Sequence, residues 1–225
     1  MSGAWSETHL YDQDYFDRFY LHDERRDTMY RQERARIATN YPRGARVLDV
    51  GCGVGGFLAG LDDRWDKWGL EPSDYAAEKA RSKGITMVPG IDVLDTGSFD
   101  VVVFRGTLQH IDLPMEALNQ ASRVLRRGGL LAVLATPDTD SLVYRIWGRL
   151  PALQADRNWV LFGGRSLTNI LERLGYVQIK VTHPYRGTPY ARPLRDFSRF
   201  LMSLILGWRP FAFPGNMMEV HARKK

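Results

Sequence analysis

The stretch VLDVGCGVGG, residues 47–56, is the most informative part of this sequence. Its first four residues form a short apolar run of strand length, and Gly51, Gly53 and Gly56 follow with the spacing G-x-G-x-x-G. Glycines at such positions let the chain turn from a strand into a helix, and they let a ligand lie against bare backbone. The stretch therefore predicts a ligand-binding loop at the end of a buried strand.

Strand and helix patterns alternate on both sides of this loop. The segment before residue 45 has a helical pattern that Pro42 ends. Further strands are predicted at 67–72, 85–88, 99–104, 129–137, 176–183 and 216–225, with helices at 73–84, 114–129 and 165–175. This alternation predicts an α/β fold with a Rossmann-like, doubly wound sheet. The sequence has no internal repeat and no low-complexity linker, so we expect a single domain over residues 1–225.

Composition excludes several classes of protein. The chain has 225 residues, of which 44% are hydrophobic and 25% are charged, which argues against disorder, collagen and coiled coil. Cys52 is the single cysteine, and no group of Cys and His has zinc-like spacing, so we expect no disulfide and no metal. The acidic N-terminus lacks the apolar core of a signal peptide. We therefore expect a cytoplasmic protein.

The net charge of +5 is unevenly distributed. Residues 1–30 carry three Arg against seven Asp and Glu, whereas residues 186–225 carry eight Lys and Arg against two acids. A basic chain is compatible with nucleic-acid binding, but an excess confined to one terminal segment is more often a solvated face. Charge alone identifies no partner, and we expect no nucleic acid.

Two acidic residues distinguish between possible ligands of the loop. Glu71 lies 20 positions after Gly51, where a carboxylate can accept both hydroxyls of a ribose in a nicotinamide or an S-adenosylmethionine site. Asp49 favours the second ligand, since a carboxylate is unhelpful beside a pyrophosphate but favourable beside an ammonium and a sulfonium. The alternative is that Asp49 only braces the glycine turn.

At this point the sequence resembles the class I S-adenosylmethionine-dependent methyltransferases over about residues 30–185. Five motifs carry the resemblance in order: VLDVGCGVGGF, GLEPS, SFDVVVFRGTLQHIDLPMEAL, RVLRRGGLLAVLATPD and VLFGGRSLTNILERLGYVQIKV. The resemblance implies a seven-stranded sheet whose last strand is antiparallel, with S-adenosylmethionine as the cofactor. It also implies roles for individual residues.

The implied roles cover four parts of the cofactor. The methionine and ribose portions are cradled by Asp49, Gly51, Gly53 and Gly55, and Glu71 takes the ribose hydroxyls. Pro72 packs near the adenine, Asp92 and Val93 meet the adenine edge, and Phe104 and Arg105 line the methionine end. One feature departs from the family: only ten residues, 89–98, separate the third and fourth strands, which is short for a crossover with a helix. Asp92 is therefore equally compatible with a surface loop.

His110 is the candidate catalytic residue. It lies beyond the fourth predicted strand, and ligands bind at the carboxyl ends of strands in such sheets. An imidazole accepts a proton near neutral pH, as the methylation of a hydroxyl requires. The alternative is that His110 shapes the pocket without transferring a proton.

Two segments outside the motifs are candidates for substrate contact. Residues 1–40 contain aromatic residues among acids (Tyr11, Tyr15, Phe16, Phe19 and Tyr20), which predicts either a lid over the cofactor or a helix packed on the sheet edge. Residues 184–215, inserted before the last strand, contain an apolar helical pattern flanked by arginines. That pattern fits a cap on the substrate pocket, a homodimer interface, or peripheral contact with a membrane or lipid-like substrate through residues 194–209.

These features together predict an S-adenosylmethionine-dependent methyltransferase acting on a small molecule, with O-methylation of a quinone precursor, a sugar or a secondary metabolite as the expected reaction. The alternatives are an RNA or protein methyltransferase, an NAD-binding oxidoreductase and a non-catalytic cofactor-binding module. The sequence FRGT stands after the fourth strand, where amino-group methyltransferases carry an Asn-Pro-Pro-Tyr type motif, which argues against the first of these.

Overall fold

A computed structural model describes residues 12–20, 24–151, 153, 158–186, 188–208 and 210–225. One sheet of seven strands runs through the molecule in the order β3-β2-β1-β4-β5-β7-β6. The strands are β1 (Arg46–Val50), β2 (Asp66–Leu70), β3 (Thr86–Val88), β4 (Phe99–Arg105), β5 (Leu125–Pro137), β6 (Tyr176–Thr182) and β7 (Met217–Lys224).

The directions of the strands confirm the predicted fold. Strands β1 to β5 pair in parallel, whereas β7 is antiparallel to both β5 and β6. The seventh strand, predicted from the alternation at the end of the sequence, thus enters the sheet between β5 and β6. This is the Rossmann-like sheet with a reversed last strand that the resemblance implies.

The helices connect these strands. They are α1 (Gln13–Tyr20), α2 (Glu24–Ala38), α3 (Gly56–Ala59), α4 (Asp74–Arg81), α5 (Pro114–Val124), α6 (Leu142–Trp147), α7 (Gly164–Arg173) and α8 (Pro193–Leu206). Helix α8 lies within the predicted insertion at residues 184–215. In contrast, the segment between β3 and β4 contains turns and no helix, as its ten residues predict.

The prediction for α5 is wrong at its C-terminal end. The sequence predicts that this helix continues to Gly128 and Gly129, but it ends at Val124 and the chain becomes extended at Leu125, which pairs with Phe99. Arg126 is therefore not in a last helical turn: its Nε lies 2.5 Å from Oδ1 of Asp100 on β4. Burial of Leu125 beside β4 outweighs the helical tendency of the arginines.

The central strands are buried on both faces, which explains their continuous apolar sequences. On one face, Leu48 and Val102 join a hydrophobic cluster with Leu118 of α5 and Leu167 of α7. On the other face, the alternate strand residues pack with α2 and α3. This arrangement fixes the strands rigidly and leaves their carboxyl ends, with the loops that follow, at one edge of the sheet.

Candidate active site

The glycine loop lies at the carboxyl end of β1. Gly51, Gly53 and Gly55 have φ values of 77°, 54° and 74°, a region that side chains disfavour. At Gly51 a Cβ atom would lie 2.3 Å from Cγ2 of Thr107, so space also requires glycine there. The loop is tied to β2 because the N–H groups of Gly51 and Cys52 both donate to the carbonyl of Leu70.

Glu71 directly follows β2, and its side chain contacts this loop. Its Oε2 accepts from the Gly53 N–H at 3.0 Å, and its Oε1 accepts from the Ser73 N–H at 3.0 Å. Withdrawal from water raises the pKa of the Glu71 carboxyl to about 7, although both hydrogen bonds oppose the shift. Glu71 thus holds the loop in place while presenting its remaining lone pairs to the pocket.

Asp49 is almost fully buried at the end of β1, and its Oδ1 has no hydrogen-bond partner within the described structure. Burial raises the pKa of Asp49 to about 7, with the Arg105 guanidinium opposing the shift and Glu33 and Glu71 adding to it. A buried carboxyl without a partner is costly, so a cationic ligand beside it would be stabilised. This geometry is compatible with a ligand-binding role for Asp49, which stays a prediction.

These residues line a pocket together with parts of four other segments. The lining residues are Tyr15, Phe16, Tyr30, Asp49, Gly51, Cys52, Gly53, Phe57, Glu71, Pro72, Arg105, Gly106, Thr107 and His110. The pocket therefore brings together Asp49, Gly51, Gly53, Glu71, Pro72, Arg105 and His110 of the residues predicted from the sequence.

Four predicted site residues do not line this pocket. Phe104 is fully buried in the hydrophobic core, because the alternation along β4 directs its side chain into the sheet face that packs on α5. Asp92 and Val93 are exposed in the turns between β3 and β4. Gly55 lies one turn further along the loop, where it precedes α3. The adenine contacts expected from Asp92 and Val93 stay a prediction.

Arg105 is held by a buried carboxylate that sequence reasoning missed. Glu33 of α2 is fully buried, and its two oxygens accept from the Arg105 guanidinium at 2.6 Å and 3.2 Å. The guanidinium also lies 4.3 Å from the ring centroid of Tyr30. Glu33 stands in a charged helix and Arg105 comes 72 residues later, so no local pattern in the sequence indicates their pairing.

Helix α1 contributes an aromatic wall to the same pocket. Tyr15 and Phe16 line it, and Phe16 is buried against Val54 and Ala76. The helix thus packs beside the glycine loop and α4, and the choice between a lid and a packed helix stays a prediction. Tyr11 lies outside the described residues, as do the side chains of Phe19 and Tyr20.

A second, larger cavity of about 610 Å³ adjoins the pocket. Both are lined by Arg105 and Gly106, at the carboxyl end of β4. The remaining walls come mainly from the insertion before β7 and the start of that strand. Ala135 also lines this cavity, with φ of 50° at a bulge in β5, which is a strained conformation of the kind found at functional sites.

His110 stands at the end of a short 3-10 turn, Leu108–His110, after β4. Its backbone N–H donates to the Thr107 carbonyl at 2.8 Å, and its Nε2 lies 3.3 Å from Nε2 of Gln109. Gln109 lines the larger cavity while His110 lines the smaller pocket. The loop after β4 therefore reaches both spaces.

The sequence match agrees with this geometry. Residues 20–181 match the profile of a family described as a methyltransferase domain. The chain belongs to the S-adenosylmethionine-dependent methyltransferases. This match covers most of the chain, including the glycine loop, Glu71 and the loop that carries His110.

Relatives and solved structures place this methyltransferase in context. A chloroplastic 2-methyl-6-phytyl-1,4-hydroquinone methyltransferase of Oryza sativa is 35% identical over 105 residues, which are 42% of this chain and 30% of that protein. A tRNA U34 carboxymethyltransferase of Idiomarina loihiensis is 32% identical over 157 residues, 61% of this chain and 47% of that protein. The chain spans half or less of the length of both relatives. In fold, it matches a crystal structure from Thermotoga maritima described as a SAM-dependent methyltransferase, with a TM-score of 0.66 and 22% identity over 94% of this chain and 95% of that one.

The residues of the pocket fit the cofactor of the family, S-adenosylmethionine. The unpartnered Asp49 Oδ1 matches a ligand with cationic groups, and the loop at Gly51 has no room for a side chain. Among the described residues, no group of three or more His, Cys, Asp and Glu side chains is placed to hold a metal ion. Within the same residues, no helix has the length and apolarity that crossing a membrane requires.

Proposed function

We propose that this chain transfers a methyl group from S-adenosylmethionine to a small-molecule acceptor bound in the 610 Å³ cavity. The observation that carries the proposal is that this cavity and the cofactor pocket meet at Arg105 and Gly106. Since methyl transfer requires donor and acceptor in line, two binding spaces must join at the reacting atoms. The end of β4 provides that junction.

The bound cofactor supplies an activated methyl group on a sulfonium. The chain's own residues have three tasks around it. Asp49 offsets positive charge, Glu71 accepts hydroxyl donors, and Tyr15 and Phe16 cover the pocket against water. Our candidate for accepting a proton from an acceptor hydroxyl is His110, because it lines the same pocket. We therefore infer O-methylation.

The substrate class that we infer is a quinone precursor or a similar aromatic metabolite. The rice relative is named for a hydroquinone, and several aromatic and apolar side chains line the cavity, including Phe211, Phe213 and Met218. Methylation of RNA is the competing interpretation, which the tRNA-named relative favours. It does not account for a cavity of about 610 Å³ whose lining includes several aromatic side chains.

The test is an acceptor screen with mass detection. The purified chain is incubated with S-adenosylmethionine and candidate hydroquinones, phenols, sugars and tRNA, and products are searched for the mass of one added CH2. We expect S-adenosylhomocysteine to appear together with a methylated phenol or hydroquinone. Methylation of tRNA alone would replace the small-molecule proposal, and cofactor binding with no turnover on any acceptor would contradict the enzymatic one.

We also propose that the outer face of α8 contacts a membrane surface that contains anionic lipids. This face exposes seven apolar side chains: Leu194, Phe197, Leu201, Met202, Leu204, Ile205 and Leu206. Arg195 and Arg199 flank it, and Asp196, the acidic residue of the helix, is buried. Apolar side chains bordered by cations fit the interface of an anionic bilayer.

Sedimentation with vesicles tests this second proposal. We expect binding to vesicles containing phosphatidylglycerol, and loss of binding in the double variant L201D/I205D. The matched control is V93D, since Val93 is also exposed but lies far along the chain in the β3–β4 turns. If L201D/I205D instead converts a dimer into a monomer without affecting sedimentation, the face is a homodimer interface and the membrane proposal fails.

A further inference from the structure

The charged residues that line the acceptor cavity are unbalanced. Four arginines (Arg26, Arg105, Arg195 and Arg199) line it, against the two acids Glu33 and Glu219. Glu33 is already held by Arg105, and Glu219 accepts from Nε of Arg36 at 2.9 Å, a residue outside the cavity lining. Both carboxylates are thus neutralised within the protein. Since Glu33 and Arg105 cancel each other, the cavity cations that remain include Arg195 and Arg199 of α8.

Two of the lining arginines, Arg195 and Arg199, belong to α8, where they border both the cavity and the exposed apolar face of the helix. Arg195 and Arg199 are one helical turn apart and therefore lie on the same side of the helix. One N–H group of Arg195 donates to Asp196 at 3.3 Å. The Asp196 carboxylate also accepts from the Tyr185 hydroxyl and from the Arg192 N–H. Arg199 makes no hydrogen bond or ion pair with the described residues. Most of the guanidinium donors of this pair remain available to a ligand.

The cavity wall adjacent to these arginines is apolar and well packed. Phe213 stacks on Phe200 with 4.7 Å between ring centroids, and Phe211 meets Phe213 edge to face at 5.7 Å. Leu150, Met217 and Met218 extend the apolar lining. A ligand of this cavity thus meets rigid aromatic surface on one side and a pair of cations on another.

We propose that the methyl acceptor is an amphipathic anion, with an apolar or aromatic body and a carboxylate, sulfonate or phosphate group bound by Arg195 and Arg199. This inference rests on the proposed function only in treating the cavity as the acceptor site. Guanidinium groups suit such anions because their planar donors form two parallel hydrogen bonds to oxyanions. The acidic group then lies at α8, and the reacting hydroxyl lies at the Arg105 junction.

Two fluorescent dyes with one skeleton test the proposal without any turnover. The anionic probe is 8-anilinonaphthalene-1-sulfonate, and the neutral probe is N-phenyl-1-naphthylamine, which lacks only the sulfonate. We expect R195Q/R199Q to raise the Kd of the anionic dye about tenfold, the scale of losing hydrogen bonds to a charged group. The Kd of the neutral dye should change less than about twofold, within the scatter of surface substitutions.

Three further variants locate the effect. R199K keeps the charge and should retain a large part of the affinity for the anionic dye, whereas R173Q, an exposed arginine on α7, should leave both dyes unaffected. A212W narrows the cavity and should weaken both dyes, while L201D on the outer face of α8 should weaken neither. If L201D and not A212W removes binding, the dyes occupy the outer face and the proposal is overturned.

The same variants distinguish a small anionic acceptor from a lipid headgroup as the ligand of the two arginines. If R195Q/R199Q loses sedimentation with phosphatidylglycerol vesicles but binds both dyes normally, the arginines serve a lipid headgroup and the proposal is wrong. Calorimetry with S-adenosylhomocysteine is run in parallel, because a failure of cofactor binding would contradict the proposed methyl transfer while leaving the dye comparison interpretable. Equal loss of both dyes in R195Q/R199Q would also contradict a specific role for the charge.

Discussion

Two carboxyl groups at the glycine loop have opposite arrangements of partners. Glu71 accepts two backbone hydrogen bonds, and it thereby holds the loop that it borders. Asp49 is more deeply buried and keeps an oxygen without a partner. Under the proposed function, Glu71 both holds the loop and accepts hydroxyl donors, whereas Asp49 offsets the charge of a cationic ligand. Substitutions at the two positions should therefore have different consequences.

Replacing Glu71 should weaken cofactor binding. Glu71→Gln preserves the shape of the side chain but replaces one acceptor oxygen by an NH2 group. Either the Gly53 N–H or the Ser73 N–H then faces a donor, and fewer acceptor sites remain for a ribose hydroxyl. We expect a loss of about 1–3 kcal/mol in the binding of S-adenosylhomocysteine, the cost of an unpaired buried polar group. Calorimetry on the folded variant measures this loss.

Glu78→Gln is the control for that substitution, since Glu78 is exposed on α4 only seven positions later. Its dissociation constant should equal that of the wild type. A normal affinity in Glu71→Gln would remove Glu71 from the binding site and restrict it to bracing the loop.

His110 should influence turnover and not cofactor affinity. If it accepts the proton of an acceptor hydroxyl, His110→Ala lowers kcat by ~10²–10⁴-fold, because a positioned base contributes that much. The dissociation constant for S-adenosylhomocysteine should stay nearly unchanged. Steady-state kinetics across pH, with the acceptor found in the screen, gives kcat and KM separately.

A merely structural role of His110 predicts a different pattern. In that case KM for the acceptor rises while kcat is largely preserved. A decrease in kcat of about threefold or less at saturating acceptor would be far smaller than the ~10²-fold decrease expected when a catalytic base is lost. That result would contradict the assignment of His110 as the base.

At the scale of elements, the Glu33–Arg105 pair joins α2 to the end of β4. The pair is almost completely withdrawn from water, since the two side chains are 0% and 11% exposed. It fixes Arg105 at the junction of the two binding spaces. Helix α2 is therefore part of the site, although its sequence consists mainly of charged residues.

Breaking this pair should be costly. Glu33→Ala leaves the Arg105 guanidinium buried without its carboxylate, and we expect a loss of about 3–5 kcal/mol in the free energy of unfolding. Urea unfolding followed by circular dichroism measures the change. Asp27→Ala, an exposed acid on the same helix, should change stability by no more than about 0.5 kcal/mol. Equal small effects at both positions would show that the pair contributes little.

At the scale of the whole molecule, the raised pKa values couple folding to pH. Asp49 and Glu71 each have a folded pKa of about 7, above the ~4 of an unfolded chain. The folded state thus binds more protons than the unfolded state between about pH 4 and pH 7. The two carboxyl groups therefore contribute to the free energy of unfolding at low pH, and this contribution is lost as the pH rises through about 7.

Asp49→Asn should remove part of this dependence. Asparagine does not titrate, so the variant lacks the loss of stability that Asp49 causes as the pH rises. We therefore expect the difference in Tm, variant minus wild type, to be larger at pH 8 than at pH 5. A rise of at least about 2 °C corresponds to roughly 1 kcal/mol in a domain of this size. Thermal unfolding of the ligand-free proteins at several pH values measures it. A difference in Tm that does not vary with pH would contradict the raised pKa of Asp49.

Local patterns in the sequence are sufficient to predict the strands and the glycine loop of this protein. Six strands follow from short runs of strand length and the seventh from alternation near residues 216–225. The glycine loop follows from the spacing of its glycines, because a tight turn requires that residue type at those positions. Patterns failed where distant residues decide the outcome. The end of α5 depends on the pairing of Leu125 with Phe99, which no helical period indicates.

The contacts between distant residues around the pocket could be identified only from the tertiary structure. Glu33 and Arg105 are far apart in sequence, and Phe16 of α1 meets Val54 and Ala76 only when the chain is folded. Phe104 has a place in the sequence motif yet turns into the core, because strand alternation assigns its side chain to the packed face. The cavity of about 610 Å³ is likewise lined by residues of α8, β5 and β7 together. Sequence spacing encodes contacts within an element and its loop, whereas contacts between elements depend on burial and charge pairing that arise only on folding.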